Sequence, residues 1–307
     1  MKIFHLLVAA IGLAVTTSCT LDKTDFEAEI NEEVTEYFEF KEVTSFNSGS
    51  YKISIEALNG TLYKGYNEIR VRILNNQSQT LNHSEVTFLP VHTDSDNVAT
   101  SCPHRYHLVY KEEGNYYSGY VVFTSISNVM ENWNVYLSFT DHQQTYQEKQ
   151  LVAVKNQTNM NLNMTTFTGN DGAEYYIALV APQKPKVAEN ELIAGIYKYN
   201  QPAVSTENFP DPSQFSYTEA TDYTLLIDPR MPEPSMGNHS SPNNVDLAQH
   251  NDGLYHGVVN YTMTGNWTLN FIMIDPNGQI IKGIQVPSDF TPGIEGAKSE
   301  LFIDILF

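Results

Sequence analysis

Cysteine is nearly missing from this chain: 307 residues contain two, Cys19 and Cys102. That excludes the disulfide framework of small secreted domains, and neither Cys-x-x-Cys nor His-x-x-x-His zinc spacing occurs. Basic residues are also scarce, with 17 Lys and Arg against 36 Asp and Glu, for a net charge of −19. Such a surface repels phosphate backbones, so no nucleic-acid partner is expected, and it draws cations towards any site it surrounds. There is no nucleophile elbow, no His-Glu-x-x-His, no phosphate-cradling glycine loop and no dinucleotide fingerprint. The acidic pairs Glu32-Glu33 and Glu112-Glu113 read as solvation, and no enzyme is expected. No amphipathic helix of useful length can be found.

The start of the chain has a clear pattern. Met1-Lys2 and the largely apolar run Ile3 to Val15 form a charged and then a hydrophobic region, too short to span a bilayer, which reads as a signal peptide over 1–18. It ends Thr17-Ser18-Cys19, which resembles the lipobox of bacterial lipoproteins, with Thr16 where an aliphatic residue is usual. That resemblance implies acylation of Cys19 and a lipid anchor in the bacterial cell envelope, on the outer membrane. The acidic stretch 19–46 reads as a tether. With Cys19 acylated, Cys102 has no partner for an internal disulfide.

What is abundant is β-forming sequence. Short runs rich in Val, Ile, Tyr and Phe alternate with polar residues, separated by turn signals such as Gly60, Gly114 and Asp275-Pro276-Asn277-Gly278. The runs fall near 51–58, 67–74, 85–91, 116–124, 133–140 and 146–154, then again near 175–181, 190–198, 221–227, 254–262, 267–274, 279–286 and 300–307. The pattern repeats internally. Asn67-Glu68-Ile69 aligns with Asn190-Glu191-Leu192, and the two tryptophans, Trp133 and Trp267, fall at equivalent places and read as core plugs. The expected architecture is all-β: two tandem Ig-like antiparallel β-sandwiches, 47–168 and 169–307, behind the signal peptide and acidic tether. Residues 156–172 read as a closing strand and linker, with Met160 and Met164 as strand side chains. Gln201 to Thr218 reads as an inserted loop.

The unusual residues of each copy share one slot, a long segment after the strand ending near Pro90 or Pro229. In the second copy it runs Met231-Pro-Glu-Pro-Ser-Met236-Gly-Asn-His239, a proline-stiffened polar stretch that can be neither helix nor central strand. Thioethers are soft ligands that favour Cu(I), and imidazole accepts either copper oxidation state. Met231, Met236, His239, His250, His256 and Met263 are therefore the candidate ligands of a copper ion. The bland alternative is a hydrophobic lid. In the first copy the slot offers His92, Cys102, His104 and His107 as a possible second metal site, with a surface loop as its alternative.

The run Gly253-Leu-Tyr-His-Gly-Val, followed by Thr264-Gly-Asn-Trp267-Thr-Leu-Asn-Phe behind the Met/Pro loop, resembles the YtkA-like domain. That family consists of Ig-like β-sandwiches related to FixH-like periplasmic proteins. The likeness is clearest over Tyr223 to Gly283 and fainter over Ser84 to Asp141. It implies a non-catalytic envelope role near copper handling or oxidase maturation. The Met/Pro/His segment is similar to that of two-domain lipoproteins of this type in Bacteroidota. The first copy departs from the pattern, with His92 where a methionine is expected and Ser125 where the second has Met263. Two function classes follow. One is a copper-binding lipoprotein that passes metal to a transfer protein or an outer-membrane transporter. The other is a surface Ig-like module that binds a protein or glycan, or an accessory transporter subunit, without metal; the nineteen tyrosines motivate it.

Overall fold

Every second side chain along residues 51–58 and 65–74 is buried, and the residues between them are exposed or half-exposed. A period of two with one apolar face can be satisfied only by a strand that lays that face on another sheet. A computed structural model describes residues 38–157, 160–202 and 211–307. Within it, Glu39 to Phe307 form one compact unit. The signal-peptide reading, Cys19 and most of the acidic stretch lie outside the described residues.

In the first half the strands are β1 (Phe40–Ser48), β2 (Tyr51–Leu58), β3 (Leu62–Tyr63), β4 (Gly65–Leu74), β5 (Val86–Thr93), β6 (Ala99–Thr100), β7 (Val109–Lys111), β8 (Tyr116–Phe123), β9 (Asn132–Asp141), β10 (Gln144–Val152) and β11 (Val154–Lys155). One sheet has the order β1-β2-β4-β8-β7 and the facing sheet β10-β9-β5-β6. The chain crosses between layers from β4 to β5, from β5 to β8 and from β8 to β9, as in Ig-like sandwiches. All these pairs are antiparallel; β3 and β11 add a short parallel pair. Trp133, Phe88, Phe123, Phe139, Ile53 and Val71 fill the space between the sheets.

The second half contains β12 (Met164–Thr168), β13 (Glu174–Ala181), β14 (Glu189–Asn200), β15 (Ser216–Glu219), β16 (Thr224–Met231), β17 (His239–Ser240), β18 (Val245–Gln249), β19 (Tyr255–Asn260), β20 (Asn266–Ile274), β21 (Ile280–Lys282) and β22 (Phe302–Leu306). The layers β12-β13-β14-β19 and β16-β20-β21 are joined through β18, which pairs with both β19 and β16. The sheet turns this corner where its register shifts between Val245 and Ala248, as bulged strands do. Trp267, Phe271, Tyr255, Leu269 and Met231 occupy this core.

The chain is thus two tandem, predominantly antiparallel Ig-like sandwiches, with boundaries that differ from the expectation in three places. β1 starts at Phe40, inside the stretch read as tether. β12 pairs with β13 and so opens the second sandwich instead of closing the first; Met164 lies on it, whereas Met160 sits in a 3-10 turn, Met160–Leu162. The end of the Gln201 to Thr218 insertion forms β15 on the edge of β14.

The sandwiches meet through a layer of tyrosines. Tyr66, Tyr120 and Val122 on β4 and β8 face Tyr176, Ala178, Tyr197, Tyr199 and Tyr217 on β13, β14 and β15. Tyr120 and Tyr197 pack across the junction with ring centroids 5.1 Å apart. Beside them Arg105 Nη2 reaches Glu219 Oε1 at 3.0 Å. The aromatic face is there, but the neighbouring sandwich covers it.

Candidate metal centre

Pro229 lies within the β16 ladder, opposite Leu269, and Pro232, which has no N–H to continue the strand, follows its last residue, Met231. The chain then turns through Gly237 and Asn238, both left-handed at φ +65° and +53°, and returns as β17, which sets Met231 directly opposite His239. The turn is pinned from the far side. Gly296 N–H donates to Pro232 O at 2.7 Å, and Asn238 Nδ2 donates to the carbonyls of Pro287 and Asp289.

Met231 is 2% exposed and lies at the end of the second core, with Met236 and Met263 half-buried against the same cluster. Its Cε would stand 3.0 Å from a Cβ added to Gly265; that glycine, at φ +127°, leaves the thioether its room. Trp267 lies beneath. Its Nε1 donates to Met263 O at 3.0 Å, and the His239 ring stands 6.1 Å from the indole. His239 Nε2 is 2.8 Å from Thr262 Oγ1. Four of the six predicted ligands, Met231, Met236, His239 and Met263, are therefore gathered at one end of the sandwich.

His250 and His256 are not part of that group. His256 is level with Ala248 and, through it, with Thr224. Met231 lies seven residues further along β16, about 23 Å at a strand's rise. The two imidazoles stack on each other, with centroids 4.3 Å apart and planes 10° apart. Ring lone pairs lie in the ring plane, so stacked rings cannot aim them at one ion. His256 instead holds two carboxylates, Nδ1 at 3.1 Å from Glu191 and Nε2 at 3.0 Å from Asp252. Burial pulls its pKa down, but these hydrogen bonds and charges outweigh it and the pKa is raised.

The second site predicted in the first sandwich is also dispersed. Residues 103–108 are not a rim loop: they run up the side of the sandwich, bonded to β8 through Pro103 and Arg105 and to β5 through Tyr106 and Leu108. Cys102 and His104 are consequently buried. His104 Nδ1–H donates to Cys102 O at 2.7 Å, and its ring faces Tyr217 of the other sandwich. Burial pushes the His104 pKa down to about 4 and the Cys102 thiol well up. His107 points to solvent, 2.9 Å from Glu85. His92 alone keeps the expected place, opposite Trp133 on β9 with ring centroids 4.9 Å apart.

Among the described residues no three His, Cys, Asp or Glu side chains meet at a point that could hold an ion. What the β16 cap offers is of a different kind, three thioethers and one imidazole. This donor set suits a soft monovalent ion and is a poor match for zinc, calcium or magnesium. Sequence reasoning missed Thr262, which fixes the His239 ring. It sits just before the quoted Thr264-Gly-Asn-Trp267 run, but nothing in a lone threonine marks it.

No family model matches the chain, and no curated protein matches it. Among solved structures, an Escherichia coli adhesin, FdeC, is similar over 76% of this chain at 9% identity with a TM-score of 0.23. The chain spans 62% of that adhesin's length. A conserved domain protein from Bacillus anthracis is similar over 90% of this chain and 93% of its own, at 12% identity and a TM-score of 0.26. Likenesses this distant decide neither fold nor function.

Proposed function

We propose that the cap of the second sandwich binds Cu(I), and that the protein is a non-catalytic copper-handling module. The observation that carries this is the cross-strand pair Met231–His239, with Met236 and Met263 packed on the same cluster above Trp267. Met231 would be the fixed donor, held by the core. Met236 and Met263, half-buried, would close over the ion. The hydrogen bond between His239 Nε2 and Thr262 Oγ1 occupies that nitrogen, so Nδ1 would be the one to meet the ion, with Thr262 as the outer partner that orients the ring. The Trp267 ring offers a face that attracts cations. A net charge of −19 supports the delivery of cations to the cap.

The reading includes acylation at Cys19, which would hold the module at the bacterial envelope, on the outer membrane, beside a metal-transfer protein or an outer-membrane transporter. It agrees with what the YtkA-like resemblance implies. The test is Cu(I) competition with a chromophoric chelator. Replacing Met231, Met236 and Met263 by Leu conserves volume and apolarity, and this triple variant should lose Cu(I) binding while remaining folded. His239→Ala should weaken binding, and only it should remove the loss of Cu(I) binding in acid, because a protonated imidazole cannot ligate. A triple-Leu protein that binds Cu(I) as tightly as the parent would defeat the proposal.

A further inference from the structure

The outer face of the first sandwich's smaller sheet carries a groove unrelated to the cap. Its construction follows from strand register. Thr87, Ser138 and Gln147 face one another across β5, β9 and β10, and Leu89, Tyr136 and Lys149 form the next rung. A rung of two short hydroxyl side chains and one amide lies lower than the aromatic rung beside it. On the far side, Phe88 N–H donates to Tyr106 O at 2.8 Å, which sets Tyr106 at the β5 edge. The Tyr106 ring is braced edge-on against His107, with centroids 4.7 Å apart. The result is a cavity of about 280 Å³ lined by Thr87, Tyr106, Tyr136, Ser138, Gln147 and Lys149 among others.

We infer that this groove binds a neutral saccharide of one or two rings. Its floor supplies groups that both donate and accept hydrogen bonds, the two hydroxyls and the Gln147 amide, as a polyhydroxylated ligand requires. Its sides supply two tyrosine rings, whose faces pack on the C–H face of a sugar and whose phenol groups reach its rim. Lys149 Nζ lies over the Tyr136 ring, 5.5 Å from its centroid, while Glu148 between it and Gln147 turns its side chain to the opposite face of the strand, level with core residue Leu137. A hydroxyl- and amide-rich patch whose one lysine rests on a tyrosine ring gives an organic cation no anionic partner, and the field of a protein of net charge −19 disfavours an anion, so an uncharged ligand suits it best. The volume lies near the lower end of small-molecule sites, about 300 Å³, which limits the ligand to a short saccharide. The second sandwich has Leu226, Asp228, Asn270 and Ile272 at the corresponding rungs. There Asn270 is buried and bonded to Asp228 O and Ser299 N–H, so the groove belongs to the first sandwich alone.

Saturation-transfer NMR and calorimetry on the whole mature chain would test this with methyl glucoside, galactoside, mannoside and N-acetylglucosaminide, their disaccharides, and glucuronate as the acidic control. At least one neutral sugar should bind at millimolar concentration. Tyr136→Ala should cut its affinity at least about tenfold, whereas Tyr136→Phe should keep most of it. Gln147→Ala, at an exposed position, should also weaken binding and guards against misfolding of the alanine variant. The Met231, Met236 and Met263 leucine variant should bind sugar normally, which separates this site from the copper proposal. Binding of none of the neutral sugars, binding of glucuronate alone, or sugar binding that survives both Tyr136→Ala and Gln147→Ala would overturn the inference.

Discussion

Asn67 and Asn190 make the same three hydrogen bonds in the two sandwiches. Asn67 accepts from Tyr63 N–H at 2.8 Å and donates to the carbonyls of Tyr63 and Gly65 at 2.7 and 2.9 Å. Asn190 accepts from Lys186 N–H at 3.0 Å and donates to Lys186 and Ala188 at 2.9 and 2.7 Å. In both, a buried amide ties the turn entering a central strand to that strand's first residues. Asn67→Ala or Asn190→Ala leaves backbone groups without their partner, and each should lower stability by about 2 kcal/mol in chemical denaturation. Losses below about 0.5 kcal/mol, as for an ordinary surface change, would show that the amides are dispensable.

Those asparagines were visible as aligned letters, and so was most of the central fabric. Strands with strict alternation, β2, β4 and β9 among them, announce themselves because one face must be buried. The edge strands do not. β1 reads Phe40-Lys-Glu-Val-Thr-Ser-Phe-Asn-Ser48 with a bulge between Glu42 and Thr44, and a half-exposed edge needs no regular apolar face. β12 is short and polar, so its membership of the second sandwich was hidden as well. Within the site, Met231 and His239 could be read together because a proline-rich turn brings its two ends close. His250 and His256 were misplaced because nearness in sequence was taken for nearness in space, while β18 carries that segment back down the sandwich. His104 and Cys102 were misread for the same reason: the segment that holds them pairs with both sheets and seals a side, whereas polar letters suggested a free loop.

The tyrosine junction yields a prediction of opposite sign to most core changes. The Tyr197 side chain is buried, and its hydroxyl has no hydrogen-bond partner among the described residues. A buried hydroxyl left without a partner costs free energy, and removing it recovers that cost while the ring contacts with Tyr120 persist. Tyr197→Phe should be neutral or stabilising, by up to about 1 kcal/mol, in thermal or urea unfolding. A loss of 1 kcal/mol or more would mean that the hydroxyl is in fact bonded.

His104 should make the protein acid-labile. Its buried ring has a pKa pushed down to about 4, against about 6.5 in the unfolded chain. Between those values the unfolded state binds a proton that the folded state refuses, so stability is full above about pH 6.5 and falls as pH drops towards 4. The total loss is of order 3 kcal/mol. Asparagine keeps an amide N–H that can donate to Cys102 O as His104 Nδ1 does but does not titrate, so His104→Asn is the natural control. Its stability should fall less steeply between pH 7 and pH 4 than the parent's. Parallel curves for the two proteins would rule the mechanism out.

His256 should act in the reverse sense. Despite the burial that opposes it, the carboxylates of Glu191 and Asp252 hold its pKa above the ordinary value. The folded state therefore keeps its proton over a range in which the unfolded chain has released it. The stabilisation from this ion-paired imidazolium is complete below about pH 6.5 and is lost as pH rises through the folded pKa. The stability difference between the parent and His256→Gln should shrink from pH 6 to pH 9. NMR titration of the His256 ring should give a midpoint above that of a free histidine, and Glu191→Gln should bring it down. A His256 midpoint at or below the ordinary value, or a stability difference that grows with pH, would show that the carboxylates do not hold the proton on this ring.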